Sequence, residues 1–548
     1  MKARGLMEKK VSRRQWLKWA AMGAASALLS ACAPRIVEKV VKETVVVEKA
    51  VKETVVVEKV VKEVVKETVI VAGTPKVVER VVEKEVLITP IPAPSWQGTI
   101  DVYAGGVQPN VARGEGLEPL TALRTLADEW EEMHPGVKIH FIEEGMVGQD
   151  PVWIKSRQAA DTMPDIMYSL DNLLNRDVGT PYWIPVDPWI NTPNPYIPAG
   201  EPGHDRWQEG FIAGFDARNL MIDKRFYGFP QSYSAVQVYV NKDILEESGV
   251  DLDSDVISPR WTFDSMLEVS DRIEKAGSLP WALNWLHPYW NWIQTTVLTG
   301  LFKSTGSWGK LDTNNDDFVT SLERFEAILR GDWAADTPEM RAMWKLTRDW
   351  TAYWPEGYLG LSGEETTAMW MRGEAAFMWN GTWYYPTVLN DPERDFDFAI
   401  ARFPDCAERM AEIGKGGKTC YPGGACDLQS VTQTTTRQGN VELCIDWLKY
   451  YLSCDGQSRV CKEHGGLPPV IKCAEGNPAL RQFAPAPGET LLKTIHMRSM
   501  HFDYGETFMR IHGEWLAGRL GIDEALAQFQ VEMDKYAKDA VERGEAAE

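Results

Sequence analysis

A strand–helix–strand pattern near residue 100 is the feature that most constrains the fold of this chain. A short β-rich run, Thr99–Tyr103, precedes a segment whose apolar residues recur at helical spacing over 120–133. His134-Pro135-Gly136 ends this helix, and the apolar residues of Val137–Phe141 then alternate as they do in a strand. Two strands joined by a helix of this length form a parallel βαβ unit. The sequence therefore predicts an α/β fold whose sheet contains parallel strands.

The first residues of the chain have the composition of an export signal. Lys2–Lys18 is basic, and the apolar run Ala20–Leu29 is about half as long as a membrane-spanning helix requires. A signal peptide at residues 1–31 therefore explains this region better than a membrane helix. Ser12–Lys18 resembles a twin-arginine signal and Leu29–Cys32 resembles a lipobox. The first motif predicts export, and the second predicts lipidation at Cys32. Together they predict anchoring at the outer face of the cell membrane.

A Val/Glu/Lys repeat occupies most of residues 32–96. Glu38–Val47 recurs nearly unchanged as Glu48–Val57. Glutamate–lysine pairs four residues apart favour a helix, whereas the many β-branched valines favour extended structure, and the sequence leaves both open. The repeat lacks the apolar variety of a core, so we interpret it as a stalk between lipid and domain. The proline-rich segment Thr89–Pro94 marks the boundary.

The composition excludes several classes of function. The net charge is −21, which argues against non-specific nucleic-acid binding. The sequence has no HExxH, GxSxG or Walker pattern, and no GxGxxG that opens a helix. We therefore predict no catalytic residue, no cofactor and no metal site, and we do not expect an enzyme. The 23 tryptophans predict a large core, with some aromatic faces in a cleft.

One acidic segment has the spacing of a calcium loop. Asp312, Asn314, Asp316 and Glu323 stand at ligand positions, but Asp317 occupies the position that requires glycine. The sequence therefore favours an acidic capping turn before a helix at this place.

Seven further cysteines lie close together in the C-terminal part of the chain. They are Cys406, Cys420, Cys426, Cys444, Cys454, Cys461 and Cys473. Export favours disulfides, at most three with one thiol left over, and the pairing stays open. The alternative is a zinc site at Cys454, Cys461, His464 and Cys473, because Cys461 and His464 have a usable spacing.

The segment Tyr227–Val250 combines three kinds of local signal. Tyr227–Ser234 is rich in Gly, Pro, Ser and Gln and is expected to be a loop, and Ala235–Val240 is expected to be a strand. Asn241 can cap a following helix, which Gly249 ends.

This segment resembles the family 1 extracellular solute-binding proteins that serve ABC importers, a maltose-binding-protein-like family. Met371–Trp383 resembles the most recognisable segment of that family, and similar segments follow in the same order from about Thr99 to Ala540. The resemblance implies a two-lobed, periplasmic-binding-protein-like fold of class II with a hinge. The first lobe is expected at residues 97–234 and 397–455, and the second at 235–396 and 456–548.

The resemblance also implies binding without chemistry. Lobe closure would capture a small-molecule solute, a sugar or oligosaccharide, and deliver it to the transmembrane permease subunits of an ABC importer. Tryptophans and amide side chains concentrate in Trp281–Trp292, and this combination suits the C–H faces and hydroxyls of a carbohydrate. The predicted ligand-binding residues are Tyr103, Asp171, Tyr233, Trp285, Trp292, Trp383 and Gly424. The alternatives are a surface-anchored glycan-binding protein and a glycoside hydrolase.

Overall fold

The computed structural model describes residues 58–71, 74–87, 96–113, 117–145, 151–170, 180–212, 220–258, 260–285, 292–406, 423–484 and 502–547, with Leu174, Asp177 and Phe215. The signal region, Cys32, Asp171, Cys420 and the side chain of Cys426 lie outside the described residues. No helix in the part that is described is long and apolar enough to cross a membrane.

The described part of the stalk is a β-hairpin. Strands β1 (Glu58–Val71) and β2 (Thr74–Leu87) pair antiparallel, with Glu58 opposite Leu87 and Val71 opposite Thr74. The sequence left helix and extended structure open, and the extended form is the one adopted here. The high β propensity of valine therefore outweighs the glutamate–lysine pairs that favour a helix.

The globular part, which begins after residue 91, is organised on one mixed sheet of eight strands. They are β3 (Gly98–Tyr103), β4 (Val137–Phe141), β5 (Ile166–Leu170), β6 (Phe229–Asn241), β7 (Leu279–Trp281), β8 (Ala375–Gly381), β9 (Phe398–Ala401) and β10 (Gly423–Val431). Their order is β4-β3-β5-β10-β6-β8-β7, and β9 also pairs with β6. Strand β3 is parallel to β4 and β5, which confirms the predicted βαβ unit.

Fifteen α-helices lie in the described part of the chain. They are α1 (Ala122–Met133), α2 (Pro151–Ala160), α3 (Asp187–Ile190), α4 (Lys242–Glu247), α5 (Phe263–Ala276), α6 (Thr299–Thr305), α7 (Ser321–Arg330), α8 (Pro338–Thr351), α9 (Gly363–Met371), α10 (Tyr385–Asn390), α11 (Thr434–Gln438), α12 (Val441–Tyr451), α13 (Cys454–His464), α14 (Phe502–Leu516) and α15 (Ile522–Ala547).

Strand β6 connects the two halves of the sheet. Its N-terminal half pairs with β10, and its C-terminal half, from Val236 onward, pairs with β8 and β9. The loop expected at Tyr227–Ser234 is therefore wrong, because β10 supplies hydrogen-bonding partners from Phe229 onward. The side chain of Asn241 accepts hydrogen bonds from the backbone N–H of Asp243 and Ile244, so the predicted helix cap is confirmed.

Two large hydrophobic cores pack on the sheet, and the second also includes Tyr103, Met167 and Tyr168 from the first half. The first contains Ile100, Leu126, Trp130, Trp447 and Val470. The second includes Trp281, Trp344, Trp350, Phe377 and Phe529. The two cores together contain 14 buried tryptophans of the 23 in the chain, as the core interpretation predicts.

Helix α13 belongs to the packing of the first core. The Glu463 carboxylate accepts hydrogen bonds from the backbone N–H of Thr121 and of Ala122, at 2.9 and 2.8 Å, and so caps the start of α1. Arg459 Nη1 lies 2.9 Å from Glu129 of α1. Helices α14 and α15, in contrast, contribute Phe508 and other residues to the second core.

Two of the metal-like patterns have structural explanations. Cys454 and Cys473 form a disulfide, so the alternative zinc site is wrong, because its thiolates are consumed by this bond. Cys406, Cys444 and Cys461 are buried free thiols.

In the acidic segment, the Glu323 carboxylate accepts hydrogen bonds from the N–H and the hydroxyl of Thr320 at 3.0 and 2.9 Å. These bonds form a capping box that begins α7.

Candidate functional site

A cavity of about 630 Å³ lies where the two cores meet at β6 and β10. The first core and its loops contribute Gly105, Gln108, Arg113, Glu144, His464 and Leu467, and the second contributes Trp292, Trp383, Tyr384 and Thr387. Gln231 and Ser234 of β6 and Asp427 of β10 form the base between them. A volume of this size accommodates a ligand of several hundred daltons, contacted from both sides.

Trp383 lies in the turn that follows β8 and is half-buried in the cavity wall. A Cβ atom on Gly381 would lie 2.1 Å from Cζ3 of the Trp383 ring, so only glycine lets the indole fold back over the end of the strand. The ring of Trp292 packs 6.0 Å from the Trp383 ring and 5.4 Å from that of Trp379. This packing fixes an indole that remains partly accessible to a ligand.

Asp427 is a carboxylate held at the base of the cavity. Tyr168 Oη donates to its Oδ1 at 2.9 Å, and Ser232 Oγ donates to its Oδ2 at 3.2 Å. Tyr168 itself packs against Gly105, which has φ +62°, and a Cβ there would lie 2.4 Å from the tyrosine ring. Glycine at 105 therefore allows the loop after β3 to approach the tyrosine that positions Asp427.

Buried amides extend this polar base into the first core. Gln429 Nε2 donates to Oε1 of Gln231 at 2.6 Å, and Gln457 Nε2 donates to the backbone oxygen of Gln231 at 3.0 Å. All three glutamines are almost completely buried. Since buried amides are held by such hydrogen bonds, the strand that lines the cavity has a fixed position.

Arg113 and His464 form the end of the cavity that belongs to the first core. Arg113 Nη2 donates to the backbone oxygen of His464 at 3.0 Å, and the N–H of Gly466 donates to His464 Nδ1 at 3.2 Å. Burial, followed by the nearby Arg113 charge, lowers the pKa of His464 to about 3. Burial also lowers the pKa of Arg113, against the opposing effect of Glu463. The imidazole is therefore neutral at physiological pH.

Trp292 and Trp383, two of the residues predicted from sequence, line this cavity. Three others lie beside lining residues. Tyr103 Oη donates to the oxygen of Gly145 at 2.7 Å, Gly424 pairs with Ser234 across β10 and β6, and Tyr233 adjoins Ser234. The structure thus brings Tyr103, Trp292, Trp383 and Gly424 into one region, whereas the Tyr233 side chain is buried in a separate core with Ala235 and Tyr239.

Trp285 has different surroundings. Its indole is 3% exposed, stacks on the His512 ring at 4.4 Å, and donates from Nε1 to the oxygen of Met509 at 2.9 Å. These contacts are those of a core side chain. Asp171 lies outside the described residues.

Sequence reasoning missed Arg113, Gln231 and Asp427, and it considered His464 only as a zinc ligand. Asp427 carried a usable signal, since it is the single carboxylate of the strand that begins with Gly423 and Gly424. The others carried none, because Arg113 lies in a loop and the environment of His464 depends on how α13 packs.

Comparisons with known proteins give the family of the chain. The model of the bacterial extracellular solute-binding proteins matches residues 125–482. No curated protein sequence matches the chain. A chitin oligosaccharide binding protein has a similar structure, with a TM-score of 0.54 and 19% identity over 76% of this chain and 95% of that chain.

Two further solved structures are similar to this one. Maltose-bound MalE3 of T. maritima gives a TM-score of 0.52 and 18% identity over 79% of this chain and 98% of its own. The solute-binding protein RafE, in complex with raffinose, gives a TM-score of 0.53 and 14% identity over 80% of this chain and 100% of its own. At these identities the likeness shows the fold, and it agrees with the predicted two-lobed α/β class. With the family model matching well over half of its length, the chain belongs to the bacterial extracellular solute-binding proteins.

Proposed function

We propose that this protein captures an oligosaccharide in the cavity between its two cores and delivers it to the transmembrane permease subunits of an ABC importer. The observation that carries the proposal is the combination of indole surface from Trp292 and Trp383 with hydrogen-bonding groups at the base of the same cavity. Aromatic faces stack on the C–H faces of sugars, and amides, hydroxyls and carboxylates bind their hydroxyl groups. The ligands named for the similar structures, chitin oligosaccharide, raffinose and maltose, support this class.

The two cores are proposed to be the two lobes that close on the ligand. The sequence predicts the first lobe at residues 97–234 and 397–455 and the second at 235–396 and 456–548. Because β9 pairs with the C-terminal half of β6 and Phe403 lies in the second core, we assign residues 397–406 to the second lobe. Because α13 packs on α1 and Val470 lies in the first core, we assign residues up to about 471 to the first lobe. Closure would pivot where β6 passes between the two halves of the sheet, and ligand contacts to both lobes would favour the closed state.

Anchoring is proposed from the sequence alone. Cys32 would carry the lipid after removal of residues 1–31, and the β1–β2 hairpin would form part of the stalk between lipid and lobes. Labelling of cells with a radioactive fatty acid tests this, because the Cys32→Ser variant is expected to lose the label that the unchanged protein carries.

Titration calorimetry with the purified full-length protein and a panel of oligosaccharides tests ligand capture. We expect saturable binding of at least one oligosaccharide, and a loss of affinity of about ten- to a hundredfold in Trp383→Ala, since a stacked aromatic side chain in a desolvated pocket contributes about 1–3 kcal/mol. Trp285→Phe is the matched control, because that indole is packed in the core. Unchanged affinity in Trp383→Ala would remove the stacking role.

The same samples test the enzymatic alternative. Glu144 and Asp427 are carboxylates that line the cavity, and Glu144 accepts from Arg157 Nη2 at 2.7 Å and from Trp153 Nε1 at 2.6 Å. We expect the bound oligosaccharide to be recovered intact after long incubation. Hydrolysis that is abolished by Asp427→Asn or Glu144→Gln would select a glycoside hydrolase instead.

A further inference from the structure

Arg113 is a half-buried cation in the cavity wall. Among the described residues, its side chain donates from Nη2 to the backbone oxygen of His464, a neutral acceptor. Within the described part of the chain, no carboxylate lies within ion-pair distance of its guanidinium. A partly desolvated guanidinium attracts an anion more strongly than a fully hydrated one does, because the local dielectric is lower.

The carboxylates near Arg113 have other partners. Glu463, the one whose charge acts on Arg113, accepts hydrogen bonds from Thr121 and Ala122 at the start of α1. Glu144 accepts from Arg157 and Trp153, and Asp427 accepts from Tyr168 and Ser232. Each of these three carboxylates therefore accepts hydrogen bonds from another donor, and none of them accepts one from Arg113.

Arg113 is also connected to the turn that carries Trp383. The residues directly after its partner His464 pack against that turn, and a Cβ on Gly466 would lie 2.7 Å from both Thr382 O and Pro386 Cδ. Both Arg113 and Trp383 line the one cavity. A saccharide stacked on the indole can thus extend a substituent toward the guanidinium.

We infer that the solute is an anionic saccharide, and that Arg113 binds its carboxylate or sulfate group. The planar guanidinium offers paired N–H donors whose geometry matches either group. This inference rests on the proposed function and narrows it, because a neutral oligosaccharide would leave the arginine without an anion. Uronic acids and sulfated sugars are the two sources of such a group.

Binding to a matched pair of ligands tests the inference. The probes are trigalacturonate and its fully methyl-esterified form, which share one sugar backbone and differ in charge, together with a sulfated and an unmodified galactose trisaccharide. Calorimetry of the full-length protein at about 0.15 M salt limits long-range effects of its net charge. We expect an anionic probe to bind about ten- to a hundredfold more tightly than its neutral counterpart.

Variants assign the preference to this side chain. Arg113→Gln is expected to lose the preference for the anionic probe, and Arg113→Lys to retain part of it, because lysine keeps the charge without the planar fork. Arg206→Gln is the control, since Arg206 is an exposed arginine of the same lobe that pairs with Glu209. The carboxylate and sulfate arms of the panel identify which source supplies the anion.

The outcomes separate this inference from the function on which it rests. Equal or tighter binding of neutral saccharides, or an undiminished preference in Arg113→Gln, overturns the inference and leaves the proposed function intact. Absence of binding to any saccharide overturns both.

The melting temperature of Arg113→Gln without ligand gives a second measurement. We expect Arg113→Gln to remain within about 2 °C of the unchanged protein, whereas a large decrease would show a structural role and contradict the inference.

Discussion

Acidification tests the environment that the structure assigns to His464. The imidazole is 7% exposed, lies beside Arg113, and has a pKa lowered from 6.5 to about 3 by burial first and by the Arg113 charge second. In the unfolded chain the same histidine titrates near 6.5. The unfolded state therefore binds more protons than the folded state between pH 6.5 and 3, and the free energy of unfolding falls as the pH is lowered through this window.

The magnitude follows from the two pKa values. At pH 5 the unfolded histidine is almost fully protonated and the folded one is neutral, so His464 alone lowers the free energy of unfolding by about 2 kcal/mol relative to pH 8. Above pH 6.5 this contribution to stability is fully present, and below pH 3 the loss levels off. Other groups titrate in the same range, so the effect is isolated by comparison with a variant.

His464→Asn is the appropriate variant, because its side-chain oxygen can accept the hydrogen bond that the N–H of Gly466 gives to Nδ1. Urea unfolding at pH 8 and pH 5 gives the free energy of unfolding of each protein. We expect the decrease between the two pH values to be about 2 kcal/mol smaller in His464→Asn. His140→Asn, at an exposed position of β4, controls for the substitution itself. An identical decrease in His464→Asn and the unchanged protein would refute the assigned environment.

Three further substitutions test other parts of the structure. Gly381→Ala places a methyl group within the Trp383 ring, so we expect ligand affinity to fall at least about tenfold and stability to fall by about 1–3 kcal/mol, measured by calorimetry and urea unfolding. Cys454→Ser removes the disulfide to Cys473, with a separation of 19 residues, and is expected to lower the free energy of unfolding, measured in urea, by about 3 kcal/mol. An unchanged free energy of unfolding would show that this disulfide does not form. Trp285→Phe is expected to lower stability by about 1–3 kcal/mol and to leave affinity unchanged; a selective loss of affinity would instead return Trp285 to the site.

Local sequence signals predicted the first half of the sheet well. The βαβ unit from β3 to β4 follows from periodicity and from the helix end at His134-Pro135-Gly136, and all of these are short-range features. The start of β6 was mispredicted because Pro230 and its neighbours have low β propensity. Pairing with β10, which lies far along the chain, overrides that preference.

The tryptophans show the limit of composition as a guide to a site. Trp285 and Trp292 lie in the same aromatic and amide-rich segment, yet Trp285 stacks on His512 of α14 and Trp292 lines the cavity. Which of the two reaches the ligand depends on how the C-terminal helices pack against this segment. No spacing within the segment carries that information.

The route of β6 explains why the site and the proposed hinge involve the same residues. Gln231 and Ser234 lie on the part of β6 that pairs with β10 and line the cavity, while the part from Val236 onward pairs with β8, which leads directly to Trp383. A change in the angle between the two halves of this strand therefore moves the indole relative to the polar base. A ligand that contacts both surfaces binds best at one such angle. Its binding free energy therefore shifts the equilibrium between hinge angles directly, with no other structural element between the site and the proposed hinge.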